Sequence, residues 1–383
     1  MRKVFLDHAS TTPLDSRVLA GMLRLAGEAF GNPSSGHLFG RRARALLDDA
    51  ADQAAGVIGA ARPEEIVFTS GGTEADNLAL RGVLAGLPAA SSLVVSAADH
   101  AAVLDTAADL EAEGRSVIRL PVDGRGRVDP EKLAWVLEQG GVGLVSIIWA
   151  NNELGSINEL PALAGLCRRH GAPFHTDAVQ ALGRLAVRVD EVPIDLLSGS
   201  AHKFGGPKGA GFLYVRRGTA LRPRQTGGLQ QGGRRGGTEN VPGIVGLGLA
   251  IELAESGRVE AGVRLRALSR RLGARLAGAP GLRLLGDGAA ADQLPGHFSL
   301  CFEEVEGEAL LLSLDLDGIA VSSGSACHTG SIEPSHVLLA AGLSRRQAKG
   351  TIRLVLGRDT TEEDLDYAAA RLLEHAARLR GTQ

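Results

Sequence analysis

Between residues 65 and 215 the chain alternates two patterns. Seven short runs are apolar or β-branched through most of their length: EIVFTS (65–70), SLVVSA (92–97), VIRLPV (117–122), LVSIIWA (144–150), PFHTDA (173–178), IDLLSGSA (194–201) and GAGFLYV (209–215). A strand covered on both faces reads this way, whereas a strand with one wet face alternates. Between several of them, residues 74–86, 101–113 and 159–170 carry apolar positions at helical spacing. The alternation predicts an α/β layer with a mostly parallel seven-stranded sheet.

Beyond about Gly243 the pattern changes. A long Ala/Leu/Arg-rich helix is predicted over 243–278, followed by HFSLCFE (297–303), EALLLSLDLDGIAV (308–321) and TIRLVLG (351–357). This predicts a smaller α+β domain completed by the N-terminal segment. The expected division is a large domain over 15–255 and a small one built from 1–14 and 256–383.

Composition narrows the function classes. With 44% hydrophobic and 22% charged residues in 383, the chain can bury a sizeable core, and at 3% aromatic that core is mostly Leu, Val, Ile and Ala. A formal net charge of −3 gives no global basic field, so no direct nucleic-acid partner is expected. MRKVFLDHAS has no apolar core of signal-peptide length, and no run approaches a membrane span. Three widely spaced cysteines make neither a disulfide framework nor a metal pattern, and the histidines have no metal-ligand spacing. No intrinsic metal, no membrane and a cytoplasmic home are the expectations.

Functional groups in open α/β sheets gather at the carboxyl ends of strands. After EIVFTS comes GGTEADN, with Gly72, Thr73 and a helix start. Its exposed N–H groups and hydroxyl suit a phosphate, or make a plain Gly turn and N-cap. HTDAVQ puts Asp177 at a strand end with Gln180 one turn on. A carboxylate there is costly without a cation or several donors, so it is either a helix N-cap or the partner of a protonated ring nitrogen. SGSAHKFGGPKG sets Lys203 just beyond Ser200 and His202, as a surface lysine or a nucleophilic amine. Taken together, a phosphate cradle, an acid for a pyridinium nitrogen and a lysine for a Schiff base are the three handles pyridoxal phosphate requires. SSGSACHTG (322–330) adds Cys327 among residues too small to hold a thiol in a core, which reads as a surface thiol or as a nucleophile on a loop that moves.

Longer motifs extend the picture: LDHASTTP, NPSSGHLFG, EIVFTSGGTEADNLAL, ANNELGSI, FHTDAVQA, DLLSGSAHKFGGPKGAGFLYVRRG, RRGGTENVPGIVGLGLAIELA, EGEALLLSLDLDGIAVSSGSAC, EPSHVL and IRLVLGRDTTEEDLDY. In these, over nearly its whole length, the chain resembles the cysteine desulfurases of the NifS/IscS type, a branch of the class V aminotransferase-like enzymes. The resemblance implies fold-type I, an aspartate-aminotransferase-like architecture, pyridoxal 5′-phosphate as cofactor, L-cysteine as substrate and a homodimer with sites at the subunit interface. It implies Lys203 as the Schiff-base lysine, Asp177 beneath the ring nitrogen and Gln180 at the ring oxygen. Gly72, Thr73, Ser200 and His202 become phosphate ligands, and Thr238 serves the neighbouring subunit's phosphate. His100 stacks on the ring and moves protons, Asn152 lies beside cofactor and substrate, and Arg353 grips the substrate carboxylate.

Cys327 falls on the catalytic cysteine of the longer, group I loop, which answers the question its stretch raises: a small-residue loop lets a thiol take sulfur and carry it outward. The acceptor implied is an iron–sulfur scaffold or another sulfur-acceptor protein, such as a tRNA-thiolation enzyme, and Cys327 could transiently ligate a cluster during transfer. The alternatives are a selenocysteine lyase, another class V aminotransferase-like enzyme, or a non-catalytic sulfur-carrier adaptor. Two positions depart from the pattern: Gln231 stands where an acid is common, and His328 follows Cys327 where a small hydroxyl residue is frequent. Cys167 and Cys301 are expected to be packing residues, and His37, though in a motif, receives no role.

Overall fold

The computed structural model describes residues 2–323 and 333–381. Among them β1 (Val4–Phe5) comes first. Seven strands then follow the predicted apolar runs: β2 (Ile66–Thr69), β3 (Ser92–Ser96), β4 (Val117–Leu120), β5 (Val142–Ser146), β6 (Phe174–Asp177), β7 (Leu196–Ser200) and β8 (Gly211–Val215). The second half supplies β9 (Leu282–Gly286), β10 (His297–Phe302), β11 (Ile319–Ala320), β12 (Ser322–Ser323) and β13 (Thr351–Val355).

The main sheet has seven strands in the order β2-β8-β7-β6-β5-β3-β4. Only β8 is reversed; it pairs antiparallel with β2 and β7, and the other neighbours are parallel. Six strands therefore end at one edge. Side chains alternate between the faces of a strand, and both faces are covered. Val67, Val95, Leu144 and Leu213 pack under the helices Gly72–Leu84 and Ala101–Ala112. Their neighbours Phe68, Val94, Val145 and Phe212 join the larger core on the opposite face. Each such fully buried Val, Leu or Phe contributes about 1.5–3 kcal/mol. The edge strand β4 is only half-buried.

The predicted helix over 243–278 is two helices, Val241–Ser256 and Arg258–Leu276, parted at Gly257 (φ −95°, ψ −1°). The first has almost no polar face and buries Val241, Ile244, Val245, Leu247 and Ile251 in the large core. The second turns Leu265, Leu268, Leu272 and Leu276 into a separate core with Phe298, Leu300, Ile352 and Leu354. Gly257 is where the chain passes from one core to the other, and the low helix propensity of glycine makes the break inexpensive.

A second, antiparallel sheet runs β12-β13-β10-β9. The N-terminal strand β1 pairs in parallel with β11, and Val4 and Leu6 join the same core. Asp7 then bridges Val355 at the end of β13. Among the described residues no helix is long and apolar enough to cross a membrane.

Candidate active site

A cavity of about 300 Å³ opens at the edge where the six co-directional strands end. The segment after β2 lends it Gly72 and Thr73, and the turn after β3 lends His100. Asn152 follows β5, Asp177 closes β6 and Gln180 lies just beyond. From β7 come Ser200, His202 and Lys203, while Arg353 enters from β13 of the other sheet. The cavity thus gathers ten of the expected site residues. Thr238 does not line it and is exposed on the single chain. Cys327 and His328 lie outside the described residues.

One end is built for an anion. Helix Gly72–Leu84 starts at Gly71 with no side-chain cap, so its first N–H groups, aligned with the positive end of the helix dipole, have no side-chain acceptor. Close packing fixes the approach: a Cβ on Gly72 would sit 2.8 Å from Val179 Cγ2, and one on Gly211 only 2.6 Å from Gly71 Cα. His202 shares a 3.1 Å hydrogen bond through Nδ1 with the Thr11 hydroxyl. Burial holds its pKa down, to about 4, so its ring is neutral near pH 7.

The floor holds two acids. Asp177 Oδ1 accepts from the Val179 N–H at 2.8 Å, and burial pushes its pKa up against the opposing charges of His100 and Lys203. Asp76, one turn along helix Gly72–Leu84, is buried beside it. Its pKa is pushed well up by burial and by Asp177, and its Oδ1 has no hydrogen-bond partner. Two carboxylates so close do not both ionise readily; Asp177, nearer the cationic groups, is the one favoured as the anion. Behind them His175 is fully buried and kept neutral, with Ser146 Oγ 2.8 Å from Nδ1 and Ser198 Oγ 3.0 Å from Nε2.

The Lys203 Nζ donates to the carbonyls of Ala9 (2.6 Å) and Ser10 (3.0 Å). Gln180 Nε2 donates to the same Ala9 carbonyl at 2.8 Å. His100 caps its own helix, Nδ1 accepting from Ala102 N–H at 3.1 Å, which places the proton of the neutral ring on Nε2. Its pKa is lowered, chiefly by burial. Arg353 is 3% exposed. Its Nη1 donates to the Asn152 carbonyl at 2.9 Å, while Nε and the Asn152 Oδ1 are buried without partners.

Sequence reasoning missed Asp76, Asp7 and Ser10 as parts of this region. Asp76 had a signal, a carboxylate on the buried face shared with Ala75, Ala79 and Val83. Gln231 is engaged on both ends of its amide: its Oε1 accepts from Phe68 N–H at 2.9 Å and its Nε2 donates to Glu239 Oε1 at 3.3 Å. Cys167 and Cys301 are buried, on helix Leu160–Arg169 and on β10, and burial pushes both thiols up. His37 caps helix Leu38–Ile58, accepting from Gly40 N–H.

A mostly parallel sheet whose carboxyl edge carries a lysine, a buried acid and an open helix start defines a fold-type I pyridoxal-phosphate enzyme. A model of the family described as aminotransferase class-V matches residues 4–368. The cysteine desulfurase IscS of Dictyoglomus turgidum is 44% identical over 371 residues, covering 96% of this chain and 92% of its own. The cysteine desulfurase NifS of Azotobacter vinelandii is 42% identical over 381 residues, covering 99% and 94%. A solved NifS-like protein superposes with a TM-score of 0.90 at 35% identity, covering 97% of this chain and 99% of that one. The chain belongs to the class-V aminotransferase family, in its cysteine desulfurase branch.

The residues fit pyridoxal phosphate on their own geometry. The uncapped helix start at Gly72 offers N–H groups to a phosphate, and Asp177 offers a buried carboxylate to a ring N–H⁺. Asp76 and Asn152, each with a buried side-chain oxygen that has no hydrogen-bond partner, line the same cavity.

Proposed function

We propose that this protein is a cysteine desulfurase that takes sulfur from L-cysteine onto Cys327 and releases L-alanine. The observation that carries the reading is the convergence of Lys203, Asp177 and Arg353 on one cavity of about 300 Å³. Such a space holds a cofactor, and the arginine at its wall suits an amino-acid carboxylate.

When bound, pyridoxal phosphate supplies an electron sink for the substrate carbon that gives up its proton. Lys203 would hold the cofactor covalently, and its Nζ would remove and return that proton. Asp177 would keep the ring nitrogen protonated, and Gln180 would donate to the ring oxygen. Gly72, Thr73, Ser200 and His202 would hold the phosphate, with Thr238 contributed by a second subunit of a homodimer. His100 would lie against the ring, with its own proton on Nε2. Arg353 and Asn152 orient the substrate through its carboxylate. The Cys327 thiolate bonds to the substrate sulfur as the carbon–sulfur bond breaks. The carbon keeps that bond's electron pair and takes a proton, leaving a persulfide on Cys327.

The division into a large domain over 15–255 and a small one from 1–14 and 256–383 belongs to the same reading. So do a cytoplasmic site of action and delivery of sulfur to an iron–sulfur scaffold or another acceptor protein. The test is mass spectrometry of the protein after L-cysteine. A 32 Da gain, the mass of one sulfur, is expected on Cys327 in the wild type and is absent from Cys327→Ser, which also makes almost no alanine. Normal alanine production by Cys327→Ser would overturn the reading.

A further inference from the structure

The segment Asp7–Ser10 touches several groups of the site at once. Beyond its carbonyl contacts with Lys203 and Gln180, it meets the arginine. Arg353 Nη2 donates to Asp7 Oδ1 at 3.0 Å and to Ser10 Oγ at 2.8 Å. The Ser10 hydroxyl in turn donates to the same Asp7 oxygen at 2.8 Å. We propose that Asp7 is the positioning residue for Arg353 and that, through it, Asp7 sets how tightly the site selects ligands bearing an α-carboxylate. The inference rests on reading Arg353 as the arginine that receives the substrate carboxylate.

A guanidinium this buried needs a counter-charge and filled donor positions. Among the described residues Asp7 is the one carboxylate in ion-pair contact with it. On another side stands a like charge, Arg184, whose own pKa falls to about 10 from burial and from Arg353. Asp7 and Ser10 take up the hydrogens of Nη2, and the Asn152 carbonyl takes one from Nη1. Both arms of the fork are pinned, so its plane is set before a ligand arrives. Backbone geometry builds in the contact: Asp7 bridges Val355, two residues along β13 from Arg353, and the Val355 N–H donates to the Leu6 carbonyl at 2.7 Å. The hydrogens left for a ligand are one on Nη1 and the one on Nε, and the plane of the guanidinium sets the direction of both, so a tilted plane misdirects what a carboxylate would accept.

The experiment compares holoenzyme carrying Asp7→Asn with the wild type. Asparagine keeps the size and an acceptor oxygen but not the charge. L-Alanine, which bears the carboxylate, and cysteamine, which lacks it, are titrated against the absorbance of the bound cofactor. The expected result is a Kd for L-alanine and a KM for L-cysteine raised about tenfold, the scale of one charge-assisted hydrogen bond. Turnover number, cofactor content and the Kd for cysteamine should stay near wild type. Ser10→Ala, removing the other Nη2 acceptor, should show the same selectivity at smaller size. Equal weakening of L-alanine and cysteamine would mean a general structural role and would overturn the proposal, as would unchanged or tighter L-alanine binding. A wild type in which neither amine alters the cofactor absorbance would instead bring down the pyridoxal-phosphate reading beneath it.

Discussion

Glu153 is a carboxyl group with almost no water, and replacing it by glutamine should change stability in a pH-dependent way. It follows Asn152 in the turn beyond β5 and is 8% exposed. The Ser335 hydroxyl donates to its Oε2 at 2.5 Å. Burial pushes its pKa from 4.5 to about 7, against the pull of that hydroxyl and of Arg353. A group whose folded pKa is raised adds stability below its unfolded pKa and loses it as pH climbs to the folded one. The window is therefore between about pH 4.5 and pH 7, and the rise corresponds to about 3 kcal/mol. Glutamine does not titrate and still offers an oxygen to Ser335. Denaturant unfolding of both proteins at pH 4 and pH 8 isolates the effect, because every other group is common to the pair. Near pH 4 the two should differ little, since a protonated carboxyl and an amide are similar in shape and charge. At pH 8 the variant should have gained about 3 kcal/mol over the wild type. A difference that stayed constant with pH, or shrank toward pH 8, would show that Glu153 ionises as easily in the fold as in the unfolded chain.

Two further outcomes follow from the same geometry. Asp177→Asn should retain the cofactor, visible in its absorbance, yet lose turnover on the order of a hundredfold or more, because the charge that keeps the ring nitrogen protonated is gone. Gly211→Ala, whose Cβ would meet Gly71 Cα at 2.6 Å and the Gly199 carbonyl at 2.7 Å, should cost about 1–3 kcal/mol in unfolding and loosen cofactor retention on dialysis.

What the sequence made legible was what repeats locally. The central strands announce themselves because both of their faces are covered, so their residues are apolar without alternation. The candidate lysine, acid and glycines were readable because each follows such a strand directly. The break at Gly257 was not: the preceding helix is apolar all round, so its periodicity carries no phase for a change of face to interrupt. Asp76 looked like any helical acid until packing brought it beside Asp177. Asp7 was hardest to see, because its contact with Arg353 spans 346 positions and nothing local marks it. Such pairs are set by how sheets meet, which no window of sequence records.

That meeting of sheets is also where the chemistry is most exposed to error. The groups assigned to the substrate's amine end, Lys203 and Asp177, sit on the seven-stranded sheet, while Arg353, assigned to its carboxylate end, sits on the four-stranded one. A shift of about 1 Å between them can cost a hundredfold in rate. The N-terminal segment is bonded to both. On one side β1 pairs with β11, and Asp7 bridges Val355. On the other, Thr12 N–H donates to the His202 carbonyl at 2.8 Å, Gly205 N–H to the Thr12 hydroxyl at 2.8 Å, and Asp15 N–H to the Gly205 carbonyl at 2.9 Å. Those bonds bracket Lys203 from the residue before it to the second residue after it. A run of nine residues, from Asp7 to Asp15, thereby fixes the lysine relative to the arginine, and of its three bonds around Lys203 only the one through the Thr12 hydroxyl depends on a side-chain rotamer. The precision demanded between two ends of one small substrate is held by a strand of chain that belongs to neither sheet alone.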